Sequence, residues 1–379
     1  MPKCHYQMSP SAMKDFIYKL KFFCRDTEVL NIIETENGEK AVYINYIEVS
    51  EDGKTGRIIQ TLYDEVMKQP TFLEKLIYEN DFIPVYHNDA YQRMIQEKCV
   101  HESGEGLLSF NGVYFKLIEY FDHIFADMAK EFGAIEHSYP TLIEDKQLNQ
   151  CGYLDSFPQY INFVNHLNED LDVIHQFLNN HDEKHYNQET HVLTPAICLH
   201  CYINNQNSTM KQSIVTAKGK CFRYESKNME HPHRLHEFTM REIIFVGEES
   251  FTVRKRKETM DYIIAYIERI KLRVKIESAS DPFFVGDNKA KTFQAIAKLK
   301  YEIRADIPSL KKDIAIGSFN IHGNHFGKSY NITQEDLKYV YTGCTAFGIE
   351  RWAYAFLSQY GLEIDLWPDE IRKYIEGDK

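Results

Sequence analysis

No stretch of this 379-residue chain approaches the roughly 20 consecutive apolar residues that a bilayer-crossing helix needs. The polar N-terminus MPKCHYQMSP also lacks the apolar run of a signal peptide, so no membrane span is expected and the cytoplasm is the expected compartment. Positive charge is short as well. Lys and Arg total 44 against 56 Asp and Glu, a formal net charge of -12, which argues against passive wrapping of nucleic acid and leaves small substrates and proteins as partners. The eight cysteines have no regular spacing, so a disulfide framework is not indicated; free thiols in a reducing compartment, some of them metal ligands, fit better. Internal repeats and low-complexity segments are absent. What the chain does have is 43% hydrophobic and 26% charged residues, with an aromatic share that points to well-packed sheets. Its length suits two or three domains.

Up to residue 103 the chain mixes an apolar periodic run (MKDFIYKLKFF), a strand candidate (KAVYINYIEVS) ending at the turn signal EDGKTG, and TLYDEVMKQPTFLEKLI, which Pro70 is predicted to split into two helices. This region holds 12 Lys plus Arg against 17 Asp plus Glu. HESGEG, residues 101–106, is polar and glycine-containing, and it places the expected boundary between an accessory region 1–103 and a second domain 104–379. Beyond it, VYFKLIEYFDHIFADMAKEFG reads as an amphipathic helix stopped by Gly133, and IEHSYPTLI as a strand. DLDVIHQFLNN reads as a helix, HVLTPAICLHCYI as a strand, KETMDYIIAYIERIKL as a helix, then a strand pair, and RWAYAFLSQYG as the final helix. Strands and helices do not alternate in simple units, so the expected class is α/β (α+β) with an antiparallel-dominated sheet, not a Rossmann fold.

CFRYESKNMEHPHRLHEFTMREIIFVG, residues 221–247, opens and closes like a strand and carries much charge between. A strand, a loop of about ten residues and a returning strand make a long antiparallel hairpin. Alternation sends Arg223 and Glu225 to the face opposite Phe222 and Tyr224, and sets Phe238, Met240 and Glu242 opposite Glu237, Thr239 and Arg241. A guanidinium can hold phosphate oxygens in a fork, while a carboxylate can accept from an amino group. The stretch alone equally fits a solvated hairpin with cross-strand ion pairs. In YTGCTAFGIERWAYAFLSQYG, Gly343 and Gly348 precede an arginine that opens an apolar helix. The helix dipole favours acids in a first turn, so Arg351 there asks either for an anionic ligand or for a nearby acid such as Glu350.

CFRYE, a loop and HRLHEFTMREI resemble motif 2 of class II aminoacyl-tRNA synthetases, and GCTAFGIER resembles their motif 3. The helix before SYPTLI resembles motif 1, the dimer element, with Pro140 at its end. Within that class the chain is similar to the seryl-tRNA synthetase core, especially its zinc-dependent form, and more so to the amino acid:[carrier protein] ligases, truncated relatives of that form. GLLSFNGVYFKL, GYLDSFPQ, LTPAIC, SDPFF and SFNIHGNHFG resemble stretches of the ligase family. The resemblance covers residues 104–379; the accessory region 1–103 has no resemblance to carry and its role is unknown.

The resemblance implies a sheet flanked by helices that forms an aminoacyl-adenylate from ATP and a small amino acid. Arg223 is then the grip on the α-phosphate and Glu225 the acceptor for the adenine amino group. Phe238 lies against the adenine ring, Arg234 closes on the outer phosphates, and Arg351 holds the γ-phosphate. Mg2+ accompanies ATP. The family's zinc ligands match Cys198 in LTPAIC, Glu242 in TMREI and Cys344 in TGCTAFG, leaving one open position for the substrate amine. Ser318 and Asn320 match positions that line the amino acid pocket. A rival zinc half-site at CLHC, Cys198 with Cys201, has no second CxxC, and in a strand those side chains would diverge. His231, His233 and His236 in the motif 2 loop, and His322 and His325 beyond it, are read as polar residues in preference to a second metal site.

The acceptor separates the readings. Charging tRNA calls for a coiled coil or basic module, and the region before residue 104 is acidic with no long heptad, so the phosphopantetheine thiol of a small carrier protein is preferred. The alternatives are a tRNA-charging enzyme and a catalytically inactive regulatory relative. VRKRK, residues 253–257, is a basic cluster that either steers an acidic carrier protein through Arg254, Lys255, Arg256 and Lys257 or is simply a solvated helix start. Glycine, alanine and serine all suit a zinc-bound amine, and a homodimer follows from the motif 1 resemblance.

Overall fold

A computed structural model describes residues 3–24, 27–35, 39–46, 53–68, 75–181, 184, 186–279 and 299–377. SDPFF, Pro70, the end of KAVYINYIEVS and the start of EDGKTG lie outside the described residues. The first layer contains β1 (Lys3–Met8), α1 (Pro10–Phe23), β2 (Thr27–Glu34), β3 (Lys40–Tyr46) and α2 (Lys54–Met67). Its antiparallel sheet runs β1-β3-β2, and Phe16 and Leu20 of α1 meet Val42, Ile44, Ile59 and Leu62 in a small separate core.

The second helix expected after Pro70 is not formed over its C-terminal part: Leu76–Glu79 is a strand, β4, and it already belongs to the large sheet. Helix α3 (Ala90–Gln96), capped by the Asp89 carboxylate, packs into the same main core. The expected boundary at 103/104 therefore falls inside the main body, within a hairpin of β5 (Val100–Gly104) and β6 (Leu107–Phe110). Its turn is pinned, not free. A Cβ on Gly106 (φ +71°) would lie 2.6 Å from the backbone nitrogen of His236, which itself donates to the Gly106 carbonyl at 2.9 Å.

The remaining strands are β7 (Ile135–His137), β8 (Leu142–Glu144), β9 (Phe163–Leu167), β10 (Tyr186–Leu193), β11 (Ser213–Phe222), β12 (Glu237–Gly247), β13 (Val274–Ser278), β14 (Lys300–Ile307), β15 (Lys312–Gly323) and β16 (Tyr341–Gly348). Among the described residues, eight of the sixteen strands form one sheet in the order β4-β13-β14-β15-β16-β12-β11-β7, antiparallel throughout except that β7 runs parallel to β11. The single strand expected over IEHSYPTLI is thus two: β7 joins the large sheet, and β8 joins a small sheet β8-β10-β9.

Helix α4 (Gly112–Glu131) buries Leu117, Phe121, Phe125 and Met128, spaced three or four apart, against one face of the large sheet. It stops where Gly133 takes a left-handed φ of +75°. Helix α5 (Leu171–Asn180) follows β9 and precedes β10 in the chain. α6 (Cys198–Asn204) replaces the strand expected over HVLTPAICLHCYI after β10 ends at Leu193. α7 (Glu249–Ile270), α8 (Ile349–Tyr360) and α9 (Asp369–Glu376) complete the helical layer, so RWAYAFLSQYG is not the last helix.

Strand alternation divides β12 between two environments. Ile243 and Phe245 enter the helix-side core, while Met240 and Ile244 pack on the opposite face. On β15 an extra residue resets this alternation. Register passes from Arg304↔Ala315 to Ile303↔Gly317, so Ile316 bulges into the helix-side core and the following Ser318, Asn320 and His322 turn to the opposite face. That opposite face is the floor of a cavity.

Candidate functional site

The cavity holds about 860 Å³ and is walled by β14, β15, β16 and β12, by the start of α6, by the loop between β11 and β12, and by residues 151–160. Every site residue expected from the sequence lines it: Arg223, Glu225, Arg234, Phe238, Arg351, Ser318, Asn320, Cys198, Glu242 and Cys344. The sites come together because β12 lies between β11 and β16, with Glu242 opposite Ala346 and Ile244 opposite Cys344.

At one end, a sulfur of Cys198, a sulfur of Cys344 and a carboxylate oxygen of Glu242 all lie within 4.8 Å of one another, and all three residues are buried. Glu242 Oε2 has no hydrogen-bond partner. Burial pushes the Glu242 carboxyl up, and the Cys198 thiol is raised well above its usual range by its contact with Cys344, then by burial. The contact with Cys198 lowers the Cys344 thiol, but burial and Glu242 outweigh it and the net direction is up. Two thiols and a carboxyl packed this closely all resist ionisation, and an orphaned buried oxygen is costly. One divalent cation among them would satisfy all three, and an S2O donor set suits zinc. Asn320 Nδ2 reaches Cys344 Sγ at 3.4 Å and Ser318 Oγ at 3.0 Å, so the two expected pocket residues adjoin this cluster.

Cys198 begins helix α6, so Cys201 is one helical turn away, not on the opposite face of a strand as expected. Cys201 nevertheless stays out of the cluster. Among the described residues no histidine joins a metal cluster either. His231 Nε2 accepts from Gly106 N, His236 Nε2 meets Asn162 Oδ1, and His325 Nε2 meets the Cys151 carbonyl. His322 comes nearest, with Nε2 3.9 Å from Cys344 Sγ.

At the other end stand three arginines. Arg223 lies just past β11, with Nε donating to the Pro195 carbonyl at 3.0 Å and its guanidinium 5.5 Å from the Phe238 ring centre. Arg234 forms an ion pair with the buried carboxylate of Glu225. Arg351 sits in the first turn of α8 and donates to the Ala315 carbonyl at 3.0 Å. Among the described residues, no carboxylate lies within ion-pair reach of Arg223 or Arg351. Glu350 is not the partner of Arg351: its carboxylate accepts from the backbone N and hydroxyl of Thr239 on the sheet's other face. Burial pulls the Arg351 guanidinium down to about 10, and Arg234 and Arg223 add to this. With only Arg234 paired to a carboxylate, Arg223 and Arg351 leave this end of the cavity with an excess of cationic charge, the electrostatic signature of an anion site.

Of the motif 3 glycines, Gly343 is the constrained one, because a Cβ there would lie 2.7 Å from the Asn320 carbonyl oxygen. Gly348 has an ordinary φ of -85°. The sequence reading missed the charged row Lys300, Glu302 and Arg304, which faces the cavity from β14, and did not place Lys312, Glu230 or the buried His233 in its lining. Alternation in KYEIRADI carried the signal for the first group. Glu230 is held down at about 2 by His233, against burial and helped by Lys312, which bonds it at 2.6 Å. The basic cluster 253–257 lies within α7, not before it. Lys255 pairs with Glu258, Arg256 lies over the Tyr301 ring, and Arg254 and Lys257 stay exposed beside Glu258 and Asp261.

No family profile matches the chain. In sequence it is 27% identical over 272 residues to the type-2 serine–tRNA ligase of Methanothermobacter thermautotrophicus, covering 66% of this chain and 52% of that protein. It is 28% identical over 289 residues to amino acid–[acyl-carrier-protein] ligase 1 of Bradyrhizobium diazoefficiens, covering 73% of this chain and 87% of that one. The chain thus spans about half the length of the serine–tRNA ligase and most of the carrier-protein ligase. Among solved structures, M. kandleri SerRS in complex with A. aeolicus tRNASec matches with a TM-score of 0.73 at 19% identity, over 92% of this chain and 73% of that chain. Cytoplasmic serine–tRNA ligase from Naegleria fowleri in complex with AMP matches with a TM-score of 0.65 at 11% identity, over 87% and 72%. The fold is that of class II seryl-tRNA synthetases, and the family resemblance read from the motifs is borne out. Among the described residues no helix is long and apolar enough to cross a membrane.

Proposed function

We propose that this protein is a ligase that activates a small amino acid with ATP and passes it to the phosphopantetheine thiol of a carrier protein. The observation carrying the proposal is the polarity of one cavity, with unpaired guanidinium groups at one end and a crowded S2O cluster at the other. Arg223 and Arg351 hold the triphosphate, Mg2+ arriving with it, and Phe238 offers its ring to the adenine. Arg234 and Glu225 are paired with each other here, so engaging ATP exchanges that ion pair for contacts with the outer phosphates and the adenine amino group. The amino acid carboxylate attacks the α-phosphorus and pyrophosphate leaves. Charge that grows on the phosphate oxygens meets guanidinium groups already in place, at no cost in reorganisation.

Cys198, Glu242 and Cys344 would hold a zinc ion, which supplies an open Lewis-acidic position for the substrate amine. Ser318 and Asn320 line the space beside it and favour a residue of the glycine, alanine or serine class. In the second step the carrier thiol attacks the activated carbonyl and AMP leaves, so no side chain of this protein acts as nucleophile. Carrier transfer is preferred because the chain follows the carrier-protein ligase through 87% of its length and has acidic residues in excess before residue 104. The exposed Arg254 and Lys257 are the docking cations, a homodimer through motif 1 is the expected assembly, and the cytoplasm is the expected compartment.

A second reading, charging of tRNA, draws on the structural match to the tRNA-bound synthetase, whose 92% span reaches into the first layer. Pyrophosphate exchange with all twenty amino acids, with and without a chelator, tests activation. Loading of a phosphopantetheinylated carrier against loading of total tRNA then tests the acceptor. Exchange with no amino acid at all favours an inactive regulatory relative and overturns the proposal.

A further inference from the structure

The first layer reaches the nucleotide end of the cavity through one face of α1. Ser9 caps this helix, its Oγ accepting from Ala12 N, and Pro10 opens it. Phe16 and Leu20 point into the layer's own core, whereas Tyr18 and Phe22, four residues apart, share a different face. That face lies on the loop between β11 and β12. The Tyr18 and Tyr160 hydroxyls meet at 2.6 Å, Asn228 Nδ2 donates to the Tyr18 carbonyl at 2.9 Å, and Phe22 meets the Tyr224 ring edge-on at 6.4 Å. The Arg234 guanidinium carbon lies 5.6 Å from the Tyr18 ring centre.

We propose that Tyr18 is a positioning residue for ATP, holding the Arg234 guanidinium over its ring so that the first layer completes the nucleotide end of the cavity. The inference rests on the reading of Arg234 and Glu225 as ATP contacts. An aromatic face attracts a cation without neutralising it, which a carboxylate would do. Glu225 alone cannot keep Arg234 in place once it turns to adenine; the ring can, and Arg234 then meets the outer phosphates with its full charge. The Tyr18 hydroxyl fixes the ring through Tyr160, a cavity-lining residue that is itself buried. Burial, and then the Glu225 charge, push the Tyr18 phenol above its ordinary range, so it stays neutral and an ion pair does not compete with the ring contact.

The test compares Tyr18→Ala and Tyr18→Phe with the unaltered full chain, by calorimetric titration of Mg2+-ATP and by the KM values for ATP and amino acid in pyrophosphate exchange. Tyr18→Ala is expected to weaken ATP binding and raise the ATP KM about 3- to 30-fold. The amino acid KM should stay within about twofold, because the altered contact is at the nucleotide end. Tyr18→Phe keeps the ring and should keep most of the ATP affinity. If Tyr18→Ala does not fold, Tyr18→Leu keeps bulk without an aromatic face and takes its place. An unchanged ATP affinity in a folded variant, or equal losses for both substrates, overturns the inference and leaves the proposed function intact. Absence of exchange in the unaltered protein defeats the proposed function instead, while the ATP titration still decides Tyr18; absence of ATP binding defeats both.

Discussion

Glu242 and Arg241 are neighbours on β12, yet their surroundings could hardly differ more. Arg241 faces the helical layer, where Nε and Nη2 donate to the two carboxylate oxygens of Asp122 on α4, with Glu136 and Thr216 completing its partners. Glu242 faces the cavity, where it has two thiols for company and an oxygen with no partner. A buried charge whose bonds are all made stabilises a fold or is neutral to it; one whose bonds are left open is tolerated only where something else supplies them. The same contrast separates Glu350, accepting three bonds from Thr239, from Arg351 beside it, which has no carboxylate partner among the described residues. On the helix side the buried charges of Arg241 and Glu350 find partners within the protein, whereas on the cavity side Glu242 keeps an open oxygen and Arg351 has no carboxylate partner among the described residues.

The comparison breaks first at the metal cluster. Glu242→Gln or Cys344→Ser should abolish zinc retention, measured by elemental analysis, and lower amino-acid-dependent exchange by at least about 100-fold, with ATP affinity little changed. Should zinc content and exchange both survive, the open valences of Glu242 have another explanation. Next come the arginines: Arg223→Ala or Arg351→Ala should cost about 100- to 1,000-fold in exchange kcat/KM for ATP while zinc content stays at the level of the unaltered protein. Equal damage to metal content would mean that the two ends of the cavity are not separable.

On the helix side the expected loss is of stability. Asp122→Ala leaves Arg241 buried without its main partner and should cost about 3–5 kcal/mol by denaturant unfolding, with metal content unaffected in the fraction that folds. Burial works against the ionised Asp122, but bonds from Arg241 and Lys218 win and hold its carboxyl below the usual range. A depressed native pKa means that the pair's stabilisation is fully present above the unfolded carboxylate range. It is lost as pH falls through the native value, so Asp122→Asn should flatten the acid limb of the stability curve. The smallest effect is expected at the surface. Reversing Arg254 and Lys257 to Glu should slow carrier loading about threefold to tenfold at low salt and leave adenylate formation alone; equal loss of both steps removes the docking role.

Much of this was legible in the sequence, for reasons that can be traced residue by residue. The strand period of two set Phe238, Met240 and Glu242 on one face whatever the rest of the chain did. Apolar spacing of three and four marked α4, and Gly133 marked where it stops. Other readings failed where local signals were overruled. HVLTPAICLHCYI is rich in β-formers, but its second half winds into α6, the helix that carries Cys198 to the cluster. HESGEG has the composition of a linker and is instead a turn clasped by the 223–236 loop, with Gly106 N donating to His231 Nε2 at 2.8 Å. The bulge at Ile316 left no sequence signature, although it decides that Ser318 and Asn320 face the site.

The sequence by itself determined the chemistry that each element could offer: thiols, carboxylate and guanidinium groups, and the face of its own strand or helix on which each one stands. That much is local, since backbone geometry repeats every two or 3.6 residues without regard to distant partners. Only the tertiary structure decided which faces look at one another. The order β15-β16-β12-β11 brings Cys344 and Glu242 onto adjacent strands, the start of α6 closes Cys198 over them, and α1 leans Tyr18 against Arg234. Strand order and layer contact are set by long-range packing, which fixes charges in space at separations that no local pattern can encode.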